Sequence, residues 1–346
     1  MTYLSKKRSF EVAVDKDLQS WIKACISNKS RPADQDFPQT LFESEGLLPW
    51  LAYRLHESGA LESLPTVQQE DLRLSLRRWS LMHLDCESEL EKVILSAETP
   101  GIRFLAFKGH SVSRTLYPNP ACRPTSDFDL LIDPGQVKEA RAWLADMSYS
   151  PLQNYVGTVW LGAQSWSSSE DSGGRFHVDL HWDYSNRMYF RHRLGFEDIW
   201  DGSLKVPCGD SMLRVPCRVD DLILACVHLA AFDPGLHIRL IWLLDIYLLM
   251  AALSEPDLSD LLERAQAARA VEACLVFGER AAELGETEKV RPVLEALAAV
   301  ASEQRMKFYD WTLRSRAFDL GAYWLRLPLK EKAVFFGDLI RWVKIR

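Results

Sequence analysis

The stretch FLAFKGHSVSRTLYPNPACRPTSDFDLLID, residues 104–133, decides how this chain is read. Pro100-Gly101 ends a helical run, and the apolar residues Ile102 to Phe107 that follow predict a short strand. KGHSVSRTLY reads as a turn opening a short helix. DFDLLID reads as a second strand, with Asp127 and Asp129 two residues apart at its head. Strand periodicity puts both carboxylates on one face and turns Phe128 and Leu130 to the other. Two carboxylates on one face repel each other, and a cation between them relieves that repulsion. A DxD pair alone is also what a solvated strand edge looks like.

A second segment, FHVDLHWDY at 176–184, adds a third carboxylate. Asp179 projects from one strand face while Val178 and Leu180 take the other. Placed on a neighbouring strand, it completes a site for two magnesium ions. His177, Asp179 and His181 also alternate onto one face, a possible zinc set, although neither HExxH nor a cysteine cluster accompanies it. Lys108-Gly109 follows the first strand, where a glycine lets backbone N–H groups approach phosphate oxygens. Lys108, Ser111, Ser113 and Arg123 are nearby donors for a phosphate chain.

Outward from this centre, Pro134-Gly135 opens an amphipathic helix through Met147. Tyr155 to Leu161 and Phe176 to Trp182 predict a hairpin joined by a polar linker, Ser165 to Gly174. Two more short strands are expected near Leu204 and Leu213, and helices after Val219. Upstream, residues 10–30 and 38–58 carry helical spacing, and Gln68 to Ala97 predicts a long helix. Leu72, Leu76, Trp79, Cys86, Leu90 and Val93 lie on one side of it. The expected fold is α+β: a small mixed-sheet core flanked by N-terminal helices and a C-terminal helical domain. The expected units are 1–99, 100–218 and 219–346.

In this frame the ordered set of motifs resembles the nucleotidyltransferase-fold superfamily of the DNA polymerase beta type. It is most similar to a poorly characterised bacterial nucleotidyltransferase family. The residues that carry the likeness are Lys108-Gly109, Leu116-Tyr117-Pro118, Arg123, Asp127 to Leu131, His177 to Trp182, and His228-Leu229 with Asp245. AbiEii-type toxin nucleotidyltransferases are similar more distantly. The superfamily's usual Gly-Ser turn is Lys-Gly-His here, and Gly109 stands 18 positions before Asp127.

The resemblance implies magnesium-dependent transfer of a nucleoside monophosphate from a nucleoside triphosphate to a hydroxyl. Asp127, Asp129 and Asp179 would be the catalytic and metal-binding residues, with two ions. Lys108, Gly109, Ser111 and Arg123 would position the triphosphate. The acceptor stays open among a peptide, a protein, a tRNA and a small molecule. Alternatives on the same residues are a phosphotransferase and an idle nucleotide-binding or interaction protein. His228 and Asp245 read either as core residues or as groups facing the nucleotide.

The totals agree with a soluble, cytoplasmic protein. Of 346 residues, 47% are hydrophobic and 26% charged, and the formal charge of -7 disfavours broad nucleic-acid binding. Seven cysteines form no CxxC pair and fit free thiols in a reducing cytosol. The N-terminus has no apolar signal region. Leu236 to Leu253 is broken by His237, Arg239 and Asp245, so it reads as a buried helix and not a membrane span. The C-terminal LKEKAVFFGDLIRWVKIR reads as an amphipathic helix docking through Val334, Phe335, Leu339 and Trp342, with a membrane-surface helix as the other reading.

Overall fold

Alternating side chains in the segment 104–133 produce two paired strands. In the computed structural model, which describes residues 16–26, 38–152, 162–169, 175–231, 237–306 and 332, β1 (Phe104–Ala106) runs antiparallel to β2 (Phe128–Ile132). β2 is parallel to β5 (His177–His181), which pairs antiparallel with β4 (Ala163–Ser168), itself antiparallel to β3 (Tyr149–Pro151). The mixed sheet therefore has the order β1-β2-β5-β4-β3. A separate hairpin, β6 (Leu204–Cys208) and β7 (Ser211–Val215), turns at Gly209, whose φ is +57°.

Ahead of the sheet come α1 (Lys16–Ile26), α2 (Gln39–Ser44), α3 (Leu48–Glu57) and the long α4 (Thr66–Glu98). The run expected at 38–58 is thus two helices, broken where Gly46 takes a φ of +75° that a side chain would disfavour. Within the α/β part, α5 (Gly109–Thr115) follows β1, α6 (Val137–Asp146) follows β2, and α7 (Phe196–Asp201) follows β5. After β7 come α8 (Arg218–Ala231), α9 (Leu240–Ala251), α10 (Glu255–Ala267), α11 (Val271–Ala282) and α12 (Thr287–Val300).

The two faces of the sheet have different fates because successive strand residues point opposite ways. Phe128, Leu130, Ile132, Val178, Leu180 and Trp166 face one core with Leu90, Val93 and Ile94 of α4, Trp143 and Leu144 of α6, and Leu213 and Val215 of β7. Leu105, Phe107 and Leu131 face a second core built mainly by α3, α8, α9 and α11. Each fully buried Phe or Leu of this kind contributes roughly 1.5–3 kcal/mol. α9 is apolar almost all round, so it packs in the interior of the helical layer with one charge, Asp245, inside it. No helix among the described residues is long and apolar enough to cross a membrane.

The expected linker Ser165 to Gly174 is corrected: Ser165 to Ser168 belong to β4. Serines and glycines suggested a loop, but Gln164, Trp166 and Ser168 alternate inward, and burial of the Trp166 indole holds the strand in register against Val178. The other expected hairpin arm, Tyr155 to Leu161, lies outside the described residues, as do Val334, Phe335, Leu339 and Trp342 of the C-terminal amphipathic segment. β3 and α7 had no counterpart in the sequence reading.

Candidate active site

Parallel pairing of β2 with β5 sets Asp129 directly opposite Asp179. Neighbours in register point to the same side, so both carboxylates leave the sheet together. His181, two residues beyond Asp179, joins them: one ligand atom from each of Asp129, Asp179 and His181 lies within 4.8 Å of the others. His181 Nε2 stands 3.0 Å from Asp129 Oδ1, and the edge of Phe107 meets the imidazole with ring centroids 4.9 Å apart. His177 is not in this group, so the strand triplet proposed for zinc does not converge as a set.

Lys108 completes the centre from the other side. Its Nζ donates to Asp129 Oδ1 at 2.5 Å. To do so the residue takes φ 53° and ψ -125°, a conformation that costs a non-glycine residue about 1–3 kcal/mol. The partly buried ion pair offsets that cost. Burial alone would raise the Asp129 carboxyl, but the Lys108 charge and the His181 bond outweigh it and hold the group well below the usual range. Asp127 has the opposite fate. Burial, and then the charges of Asp129 and Asp179, push its carboxyl up against the weaker pull of Lys108.

Lys108, Asp127, Asp129 and Asp179 border a cavity of about 450 Å³ between sheet and helices. Its walls come from Trp79 and Met82 of α4, from Lys108, Gly109 and Val112 at the start of α5, and from residues 123–127 before β2. Asp221, Ala225 and His228 line it from α8 at helical spacing, and Arg239, Trp242 and Asp245 from the start of α9. A Cβ on Gly109 would come 2.6 Å from Thr125 Cγ2 and 2.7 Å from Arg123 Nη1, so only glycine lets this loop close on the turn.

Two of the expected phosphate donors have other partners. Arg123 is buried, with Nη2 2.7 Å from Asp245 Oδ2, Nε 3.2 Å from the same oxygen, and Nη1 on the Pro124 carbonyl. Asp245 also accepts from the Tyr117 hydroxyl at 2.7 Å. Ser111 does not line the cavity, since its hydroxyl donates to Asp221 Oδ2 in the interior. Burial and the Asp220 and Asp245 charges raise the Asp221 carboxyl well above its ordinary value, with the Ser111 bond pulling the other way. His228 faces the cavity as a neutral imidazole, pushed down to about 3 by burial and then by the Lys108 charge. Its ring meets Trp242 edge-on, 5.5 Å between centroids.

Asp221, Arg239 and the His181–Asp129 contact escaped the sequence reading. For Asp221 the signal was present, because Asp221, Ala225 and His228 repeat at i, i+4 and i+7 in an otherwise apolar helix. For Arg239 nothing local marks it.

A mixed sheet carrying paired carboxylates, a Lys-Gly turn and flanking helices defines a nucleotidyltransferase core. A family described as uncharacterised nucleotidyltransferase matches residues 31–285, and the chain belongs to it. No curated protein matches the chain.

Proposed function

We propose that the protein transfers a nucleoside monophosphate from a nucleoside triphosphate to an acceptor hydroxyl, with magnesium held by Asp127, Asp129 and Asp179. One observation carries this reading: Asp129 and Asp179 stand in direct register on parallel strands beside the cavity, which Asp127 also lines from the bend ahead of β2. The raised Asp127 carboxyl, pushed up by burial and then by the Asp129 and Asp179 charges against the pull of Lys108, supports the fit to a divalent ion that would offset those charges. When bound, magnesium neutralises the phosphate chain and eases loss of the acceptor proton.

The chain's own residues do the rest. The Lys108-Gly109 turn borders the cavity with a cation and an unshielded backbone, which suits a phosphate chain. Arg123 and Ser111 act beneath it: Arg123 fixes the loop ahead of Asp127, and Ser111 anchors α5 to α8 through Asp221. In the transfer, the acceptor oxygen bonds to the α-phosphorus as the bond to the bridging oxygen breaks. Pyrophosphate leaves with that electron pair, and the hydroxyl proton passes to Asp179. Alignment of these groups is the main catalytic contribution, because in-line displacement needs little covalent help from the protein.

The test uses ATP labelled at the α- or the γ-phosphorus, incubated with the protein, magnesium and a fractionated lysate. Label transferred from the α position to an acceptor, with release of pyrophosphate, is expected. Transfer from the γ position alone would make the protein a phosphotransferase, and no transfer from any nucleotide would leave the idle binding protein as the reading to adopt.

A further inference from the structure

Three cations border the cavity, and two are neutralised within the protein. Lys108 is held by Asp129 and Arg123 by Asp245. Among the described residues, no carboxylate is in ion-pair contact with Arg239; Glu45 and Asp127 attract it only at longer range, and Arg123 repels it. Its Nε is buried and has no hydrogen-bond partner. Of the two carboxylates, Glu45 is taken by the backbone N–H of Leu240 at 2.7 Å and by His237 Nε2 at 2.6 Å. Gly46 backs the guanidinium so closely that a Cβ there would lie 2.6 Å from Nη2. The N-terminal helices therefore make room for this side chain.

Leaving a cation half-buried without a contacting partner has a cost that folding does not recover. A cavity with an acidic trio at its border and a guanidinium without an ion-pair contact on its wall suits a ligand that carries cation and anion together. A phosphate chain chelating a divalent ion has that character, and a planar guanidinium matches phosphate oxygens in bidentate fashion. We propose that Arg239 binds the phosphates beyond the α-phosphorus of a nucleoside triphosphate, and so stabilises the departing pyrophosphate. This rests on the nucleotidyl-transfer reading above and assigns to α9 a binding role outside the Lys-Gly turn.

The experiment is calorimetric titration of inorganic tripolyphosphate with magnesium, of ATP with magnesium, and of AMP into wild type, Arg239→Ala and Arg239→Met. Both variants should lose about ten-fold or more in affinity for tripolyphosphate and ATP, and little for AMP. Arg239→Met keeps the volume beside Gly46, so its ligand-free melting temperature should equal or exceed that of wild type. A purely structural arginine would instead lower it. Unchanged tripolyphosphate affinity in Arg239→Met overturns the assignment, and so does an equal loss for AMP. Wild type that binds neither tripolyphosphate nor ATP overturns the nucleotidyl-transfer reading together with this one, which separates the two failures.

Discussion

Asp127 and Asp129 are two residues apart, yet the fold treats them in opposite ways. Asp129 is buried, ionised and held by Lys108 and His181, whereas Asp127 is half-buried and feels the like charges of Asp129 and Asp179. In metal-free buffer at pH 7, Asp129→Asn should destabilise the protein by about 3 kcal/mol, because it strands Lys108. Asp127→Asn should stabilise it slightly, by removing a charge that burial and its like-charged neighbours disfavour. The pH dependence has a defined sign. The Asp129 contribution is present above the ordinary carboxylate pKa and lost as pH falls below it. The raised Asp127 group favours the fold only while protonated, so the advantage of Asp127→Asn should grow as pH rises through the carboxylate range and vanish in acid. Urea unfolding of the two variants across that range checks both signs. Sequence alone predicts both residues on one strand face, since a period of two follows from backbone geometry, but β2 begins at Phe128 and leaves Asp127 in the bend ahead of it. Sequence could not give their different electrostatic states, because Lys108 and His181 reach Asp129 through packing.

At the scale of the element, the Lys108-Gly109 turn joins strand geometry to loop geometry. Gly109→Ala introduces a methyl group 2.6 Å from Thr125 Cγ2 and 2.7 Å from Arg123 Nη1, so the loop carrying Asp127 must shift. The expected outcome is a loss of magnesium-ATP affinity of about ten-fold or more with a modest fall in melting temperature, since a displaced loop leaves both cores packed. Retained affinity would show that the loop is not held by this approach. β5 was legible because polar and apolar residues alternate from His177 to His181, and β2 because a short apolar run follows Asp129. β4 was not, because its small hydroxyl residues resemble a linker and only Trp166 betrays an inward face. β3 is three residues long and offers too little pattern to read.

Across the whole molecule, polar ties run from the α/β part to the C-terminal helices, over the boundary expected after residue 218. Asp245 of α9 receives Arg123 and Tyr117, and Asp221 of α8 receives Ser111. The apolar core on that side of the sheet joins the same elements. Asp245→Ala leaves the Arg123 guanidinium buried and unpaired, which should cost about 3–5 kcal/mol and lower the melting temperature by several degrees. A double variant that also replaces Arg123 by Met should recover part of the loss, whereas additive losses would mean the pair contributes nothing jointly. Such ties between residues more than a hundred positions apart are invisible to local periodicity. They explain why the carboxylates were legible in the sequence and the walls of their cavity were not.

The most direct test concerns Asp179, which faces Asp129 across the strand pair and, among the described residues, has no side-chain bond to lose. Thermal melting of wild type and Asp179→Asn, each with and without magnesium and ATP, isolates the metal role from folding. Ligand-free, the two should melt together to within about 2 °C, as expected for a change that breaks no buried contact. Magnesium with ATP should raise the wild-type melting temperature and leave the variant nearly unmoved, because ligand binding to the native state alone shifts the transition. Equal shifts in both proteins would put the cation elsewhere and contradict the assignment of these carboxylates.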